Sequence, residues 1–113
     1  MKKEEIIEIP KTRSVSDTKI QRILRIIRIS NPIIKKKYKG QVKCIFGSYV
    51  RGEEGPGSDL DVLVEFKDNA NLLDLVGISQ FLEDRIHIPV DVVPIDTVRE
   101  EIKEQVLREA IPI

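Results

Sequence analysis

Apolar residues recur at helical spacing early in the chain. Ser16 or Asp17 can cap a helix here, because both side chains accept hydrogen bonds from first-turn amides. The apolar positions that follow are Ile20, Ile23, Leu24 and Ile27. Asn31-Pro32 interrupts the pattern, so that either the helix kinks or a second helix begins at Asn31. Gly40 then ends the helical segment.

Helical spacing returns twice in the second half of the chain. Residues 71–86 carry the first of these patterns, in which the apolar positions are Leu75, Ile78, Leu82 and Ile86. The second begins at Thr97-x-x-Glu100, a capping-box pattern. Its apolar positions are Val98, Ile102, Val106 and Ala110. We therefore predict two further helices.

Alternating apolar positions predict strands at 41–46, 59–66 and 89–93. In the first strand the residues expected on one face are Val42, Cys44 and Phe46. In the second strand the residues expected on one face are Leu60, Val62, Val64 and Phe66. Asp59 and Asp61 then lie on the opposite face of that strand.

The predicted order is helix, strand, strand, helix, strand, helix. This order favours an α+β fold, a small mixed β-sheet backed by helices. A length of 113 residues suits one domain. We assign residues 1–16 to an N-terminal arm and residues 17–113 to the domain.

Composition narrows the class of protein. No segment has the roughly 18 apolar residues of a membrane span, and the N-terminus is unlike a signal peptide, so we expect a cytoplasmic protein. The one cysteine, Cys44, lies in an apolar run and is expected to be a small buried side chain. Residues 1–46 carry 13 Lys and Arg against 4 Asp and Glu, whereas residues 47–113 carry 6 against 15. This asymmetry argues against direct nucleic-acid binding.

Three aspartates are candidate metal ligands. Asp59 and Asp61 leave the same face of one strand, with α-carbons about 6.5–7 Å apart. Two ionised carboxylates at this separation repel each other, and Mg²⁺, which prefers oxygen ligands, relieves the repulsion. Taken alone, the pair could also be two solvent-facing aspartates at a strand end. Asp91 is the only charge in the apolar strand 90–93, and a metal on the adjacent strand would give it a partner.

Gly47-Ser48 is a candidate phosphate-binding turn. It follows a predicted buried strand, where a sharp turn can present backbone N–H groups to an anion. Ten residues separate it from Asp59, so a phosphate cradle precedes a metal site on the neighbouring strand. Arg51 either contacts the phosphates or pairs with a nearby acidic side chain such as Glu53.

This stretch resembles the nucleotidyltransferase superfamily related to DNA polymerase beta, whose hallmark is Gly-Ser, ten residues, and Asp-x-Asp. More closely, the chain is similar to the minimal nucleotidyltransferases, the antitoxin half of a two-gene toxin–antitoxin module. The shared segments are Gly-Ser-Tyr-x-Arg-Gly (47–52), Ser-Asp-x-Asp-Val-Leu-Val-Glu-Phe (58–66), Leu-Leu-Asp-Leu (72–75), Val-Asp-Val-Val (90–93) and Leu-Arg-Glu-Ala (107–110). The resemblance covers residues 18–113, all but the arm.

The resemblance implies a polymerase beta-like nucleotidyltransferase fold and a set of roles. Gly47 and Ser48 would hold the triphosphate of ATP, the substrate. Asp59 and Asp61 would bind two Mg²⁺ ions, with Asp91 as the third carboxylate. AMP would pass to a protein acceptor, a tyrosine of a partner HEPN-type ribonuclease toxin, and so neutralise it.

Two other functions remain open at this stage. A non-catalytic antitoxin would neutralise the toxin by binding alone, although the complete set of motif residues argues against it. Transfer to a small molecule is less favoured because little chain follows the core to hold one. The sequence is also compatible with a homo-oligomer.

Overall fold

A computed structural model describes residues 17–113, and the predicted N-terminal arm, 1–16, lies outside the described residues. Four α-helices and four strands occur within this range. In chain order they are α1 (Thr18–Tyr38), β1 (Gly40–Phe46), α2 (Ser48–Arg51), β2 (Leu60–Phe66), α3 (Leu72–Ile86), β3 (Val90–Pro94), a 3-10 helix (Ile95–Thr97), α4 (Glu100–Glu109) and β4 (Ile111–Pro112).

The four strands form one mixed sheet in the order β3-β2-β1-β4. β1 pairs antiparallel with both β2 and β4, whereas β2 and β3 are parallel. The parallel pair is joined through α3, since parallel neighbours need a crossover connection. The predicted α+β fold with a small mixed sheet is confirmed.

The first helix runs without a break from Thr18 to Tyr38, and Pro32 lies inside it. The alternative of a second helix beginning at Asn31 is therefore wrong. Asp17 is the N-cap, and its carboxylate accepts hydrogen bonds from the amides of Lys19 (2.8 Å) and Ile20 (3.3 Å). The predicted apolar stripe is buried throughout.

One strand face was predicted incorrectly. Val42 and Ile45 pack into one core cluster, whereas Cys44 and Phe46 belong to the other. The cause is a β-bulge at Lys43: Val42 pairs with Val64 and Cys44 with Leu63, so Lys43 has no opposite residue. The extra residue reverses the alternation, and the three residues expected on one face do not share it.

A buried asparagine holds the bulge in place. The side chain of Asn31 donates from Nδ2 to the Val42 carbonyl (3.0 Å) and accepts from the Val42 amide at Oδ1 (2.9 Å). Asn31 and Ser30 are buried polar residues of α1, and Asn31 thereby satisfies two backbone groups of the core.

The two faces of the sheet carry separate apolar clusters. The larger cluster lies between the sheet and the helices α1 and α3, and it includes Ile27, Val62 and Ile78. The smaller cluster lies between the opposite face and α4, and it includes Cys44 and Leu63. Burial raises the pKa of the Cys44 thiol to about 12, which confirms that this cysteine is a small buried side chain.

The start of the last helix differs from the prediction. α4 begins at Glu100 behind Arg99, whose side chain makes no cap hydrogen bond, and the Thr97 hydroxyl donates to the Pro94 carbonyl (2.8 Å). The expected capping box is therefore wrong. Ile102, expected on the apolar face, is 42% exposed, whereas Val98, Val106 and Ala110 are buried.

Three short elements were not predicted: α2, the 3-10 helix Ile95–Thr97 and β4. β4 pairs Ile111 with Ile45 and Pro112 with Cys44, which brings the end of α4 to the β1 edge of the sheet. Within the described range, no helix combines the length and the apolar character that crossing a bilayer requires.

Candidate functional site

Two of the predicted aspartates lie directly opposite each other. In the parallel register of β2 and β3, Leu60 pairs with Val90 and Asp61 with Asp91. Neighbouring strands are separated by about 4.8 Å, so the two carboxylates leave the sheet side by side on the face that α4 partly covers. Asp61 is half-buried and Asp91 is exposed. Asp59 immediately precedes β2 and is also exposed.

Asp91 was predicted to lie inside an apolar strand. It does, but its side chain is exposed, while its neighbours Val90 and Val92 point into the core on the other face. The structure thus places all three aspartates at one end of the β2-β3 pair. It does not test their roles, which remain predictions.

The electrostatics of Asp61 reflect this crowding. Burial is the largest cause that raises its pKa, followed by the charge of Asp91, a hydrogen bond with it, and the charges of Asp59 and Glu109. Together they raise the pKa of Asp61 to about 6. An acid shifted this far shows that its ionised form lacks compensation from the protein alone.

The Gly47-Ser48 turn packs directly on Asp61. Gly47 directly follows β1 with φ +87° and ψ −157°, a backbone conformation that is essentially restricted to glycine. A Cβ at this position would overlap the Asp61 Oδ2 atom. Phe46 pairs with Asp61 across β1 and β2, which explains the proximity. The predicted phosphate turn and the predicted metal site are therefore in contact.

The short helix α2 begins in this turn, with Gly47 as its N-cap. The Gly47 carbonyl accepts from the amides of Val50 and Arg51, both at 3.1 Å. Among residues 17–113, the amides of Ser48 and Tyr49 have no protein acceptor. Two unpaired N–H groups in the first turn of a helix are suited to an anion.

Arg51 pairs with two carboxylates. Its Nε donates to Glu53 (2.8 Å), one of the partners considered from the sequence, and its Nη1 donates to Glu109 (3.0 and 3.1 Å). Glu109 also accepts a hydrogen bond from the Gly47 amide. The hydrogen bonds to Glu53 and then to Glu109, with a smaller contribution from their charges, raise the pKa of Arg51 further, so the guanidinium stays protonated.

Sequence reasoning missed Glu109 as a member of the site. It lies 62 residues after Gly47 on a different element, so that spacing gives no indication of the contact. The available indication was its place in Leu-Arg-Glu-Ala, a segment shared with the minimal nucleotidyltransferases, at the predicted helix end.

The donor set suits a divalent cation that is shared with a substrate. Within residues 17–113, no three acidic, cysteine or histidine side chains converge into a preformed metal cage. Mg²⁺, however, usually takes only one or two protein carboxylates and completes its shell with water and substrate phosphates. Asp61 and Asp91, with Asp59 beside them and the predicted phosphate-binding turn in contact with Asp61, fit that requirement.

Comparisons with known proteins identify the family. The family model for the nucleotidyltransferase domain matches residues 27–113. The Methanocaldococcus jannaschii protein MJ0435, named as a candidate protein adenylyltransferase, is 38% identical over 92 residues, which cover 80% of this chain and 99% of that protein.

Solved structures agree with this assignment. A structure described as a candidate minimal nucleotidyltransferase is 36% identical, with a TM-score of 0.66, and covers 81% of this chain and 94% of its own. A Shewanella oneidensis MNT antitoxin complex with its tri-AMPylated HEPN toxin matches at 20% identity and a TM-score of 0.55, over 84% of this chain and 71% of that one, which shows a shared fold. The chain therefore belongs to the nucleotidyltransferase domain family, with a fold shared by minimal nucleotidyltransferases.

Proposed function

We propose that this chain transfers AMP from ATP to a side chain of a partner protein, a tyrosine of a HEPN-type toxin, and so acts as its antitoxin in the cytoplasm. The observation that carries the proposal is the direct pairing of Asp61 with Asp91 beside the Gly47-Ser48 turn. A site of two facing carboxylates and an anion-binding turn fits a nucleoside triphosphate and its metal. The relatives named as adenylyltransferases support the same reaction.

The residues divide into two groups by their chemistry. The Ser48 and Tyr49 amides, the Ser48 hydroxyl and the Arg51 guanidinium would hold the phosphate oxygens of ATP. Asp59, Asp61 and Asp91 would hold two Mg²⁺ ions. When bound, these ions supply charge that stabilises the phosphates and the departing pyrophosphate.

The reaction is an in-line displacement at the α-phosphate. The oxygen of the acceptor hydroxyl forms a bond to the α-phosphorus, and the bond from that phosphorus to the oxygen bridging to the β-phosphate breaks. Pyrophosphate leaves, and the hydroxyl proton passes to a site carboxylate or to water. The chain's own contribution is to orient the triphosphate and to concentrate negative ligands where the cations bind.

An acceptor on another protein agrees with the exposure of the site. Asp59, Asp91 and Arg51 are exposed in the described part of the chain, so a side chain projecting from a partner surface can reach them. The Shewanella complex contains an AMPylated HEPN toxin, which supports a HEPN-type acceptor for this chain as well.

The test uses a HEPN-type protein encoded beside this chain's gene. With Mg²⁺ and ATP labelled at the α-phosphate, substoichiometric amounts of this chain should label many partner molecules. ATP labelled at the γ-phosphate should label none. Mass spectrometry should find AMP on the silenced partner, and its ribonuclease activity should stay lost after this chain is removed.

Asp61→Asn should abolish labelling. Asp68→Asn, which removes an exposed aspartate after the far end of β2, is the matched control and should not. If neutralisation needs equal amounts of the two proteins, ignores ATP and reverses on separation, the chain is a binding antitoxin. If label appears only in a small-molecule fraction, the acceptor class is wrong.

A further inference from the structure

Glu109 links the two parts of the site that would hold phosphate. It is the last residue of α4, and its side chain is 12% exposed. One carboxylate oxygen accepts from the Gly47 amide, and both accept from Arg51 Nη1, at 3.0 and 3.1 Å. A single carboxylate thereby ties the N-cap of α2 to the arginine at its end.

The backbone around Glu109 is fixed on both sides. The amide of Ala110, which follows it, donates to the Val106 carbonyl at 2.8 Å. β4 then pairs Ile111 with Ile45 of β1, the strand that leads into Gly47. Withdrawing Glu109 would disturb a buried helix end and a strand pair. We therefore treat Glu109 as a fixed part of the site and not as a side chain that a ligand displaces.

The contacts that Glu109 makes leave the expected phosphate donors available. Glu109 accepts a hydrogen bond from the Gly47 amide, whereas the amides of Ser48 and Tyr49 lack a protein acceptor among residues 17–113. Arg51 donates hydrogen bonds from Nε to Glu53 and from Nη1 to Glu109. Within the same range of residues, Nη2 has no protein acceptor. The guanidinium is held through two of its three nitrogen atoms and presents the third.

From these contacts we propose that Glu109 is a positioning residue for nucleotide, which acts through Arg51 and the Gly47 turn. This inference rests on the proposed function. Glu109 fixes the Gly47 turn and the Arg51 side chain before ATP arrives, which lowers the entropic cost of ordering them on binding. It touches neither the substrate nor the reacting atoms, so its loss acts on nucleotide affinity before it acts on the chemical step.

Glu109→Gln tests the proposal with little change in size. The amide oxygen can still accept from the Gly47 amide and, without a formal charge, from Arg51 Nη1, whereas the NH₂ group replaces the nearer acceptor of Nη1 and opposes it as a second donor, so the guanidinium is held less firmly. We expect the KM for ATP to rise about tenfold, the loss of one charge-assisted hydrogen bond, while kcat stays nearly unchanged. Glu104→Gln is the matched control, since Glu104 lies on the same helix, is 82% exposed and, within residues 17–113, pairs only with Arg108.

A double-mutant cycle shows whether Glu109 acts through Arg51. Arg51→Gln removes a surface guanidinium, so the variant is expected to fold. If the proposal is right, Glu109→Gln raises the KM in the wild-type background and changes it little in the Arg51→Gln background. Glu109→Asp, which keeps the charge but shortens the reach, should recover part of the affinity, and it replaces Glu109→Gln if that variant is unfolded at the assay temperature.

Three results would overturn the inference. Equal ATP affinities of wild type and Glu109→Gln would show that Glu109 positions nothing. Tighter binding by Glu109→Gln would show that the carboxylate competes with the phosphates. Additive losses in the cycle would show that Glu109 acts independently of Arg51. Absence of ATP binding by the wild type is a distinct outcome, which would refute the proposed function and this inference together.

Discussion

Asp61 and Asp91 are directly opposite residues of the only parallel strand pair in the described sheet, and the protein alone does not compensate the ionised form of Asp61. The chain concentrates negative charge at one end of β2 and β3, where Asp59 adds a third carboxylate. A fold keeps such an arrangement at a cost in stability, as sites shaped for a ligand commonly do.

The first prediction concerns pH. The pKa of Asp61 is about 6 in the folded chain, above its ordinary value of 3.8, so the folded state binds this proton more tightly than the unfolded state. The stability that this tighter proton binding contributes is fully present below the pKa of Asp61 in the unfolded chain. It is lost as the pH rises through about 6, the pKa in the folded chain. Asp61→Asn removes this dependence. In the presence of a chelator, the free energy of unfolding of Asp61→Asn should exceed that of wild type, and this difference should grow from about pH 4 to about pH 7.5.

Urea unfolding at a series of pH values measures this difference, and Asp68→Asn is the control for a general loss of negative charge. The gap between wild type and Asp61→Asn should also close when Mg²⁺ and ATP are added, because bound cations compensate the ionised carboxylates. A constant gap across the pH range would show that Asp61 is not held uncompensated.

The second prediction concerns Gly47. An alanine there must adopt a backbone conformation that is essentially restricted to glycine, and its methyl group overlaps the Asp61 carboxylate. We expect Gly47→Ala to destabilise the fold by about 2 to 3 kcal/mol and to displace Asp61, so that transfer is lost as well. The methyl group therefore acts directly on the Asp61 carboxylate.

Gly52→Ala provides the comparison. Gly52 has φ +72°, and a Cβ there would meet nothing within 4 Å. It should show a smaller loss in thermal midpoint and retain transfer. Equal effects of the two substitutions would mean that strain at positive φ, and not the contact with Asp61, explains the Gly47 result.

The helices and central strands could be predicted because their burial patterns are regular. α1 and α3 each bury one apolar stripe, and Asp17 is a recognisable cap. The prediction of the β1 faces was wrong from Lys43 onward, because a bulge reverses the alternation of buried and exposed side chains and leaves the composition of the strand unchanged. The residue that holds this bulge, Asn31, lies on a helix eleven positions before Val42, where the sequence offers only a polar residue next to a proline.

The candidate site divides in the same way. Gly47, Asp59 and Asp61 lie within one short stretch, and so their spacing alone indicated a shared site. Glu109 joins them only because β4, an element of two residues, pairs with β1. Two residues cannot show alternation, so neither β4 nor the contact between Glu109 and Gly47 was open to prediction from the pattern.

The third prediction concerns Asn31. Its side chain satisfies both the amide and the carbonyl of Val42 inside the protein. Asn31→Ala leaves both groups unpaired, and we expect the free energy of unfolding to fall by about 2 to 4 kcal/mol. Asn69→Ala, at an exposed asparagine, is the control and should have little effect. Chemical denaturation gives both values, and near-equal stabilities would show that Val42 finds other partners.

The last prediction concerns Asp91, and it separates catalysis from partner binding. Asp91 is exposed on β3, so Asp91→Asn should fold as well as wild type. The variant keeps the surface of the protein and loses one carboxylate oxygen that a cation would need. Mutation of residues that only support a metal ligand typically lowers activity by about 10-fold to 100-fold. Because Asp91 would itself be a ligand, we expect AMP transfer to fall by at least about 100-fold. Binding to the HEPN-type partner, measured by calorimetry without ATP, should stay unchanged.

The dose of Asp91→Asn that silences the partner then decides between the two mechanisms. Wild type should silence the partner at a small molar fraction in the presence of ATP, because each molecule acts repeatedly. The variant should silence it only near equal amounts, to the extent that binding alone inhibits. Full silencing by Asp91→Asn at the small fraction would contradict a catalytic role for the site. If Asp91→Asn binds the partner but silences it only near equal amounts, the facing aspartates serve the transfer reaction. The surface that binds the partner then lies elsewhere on the chain.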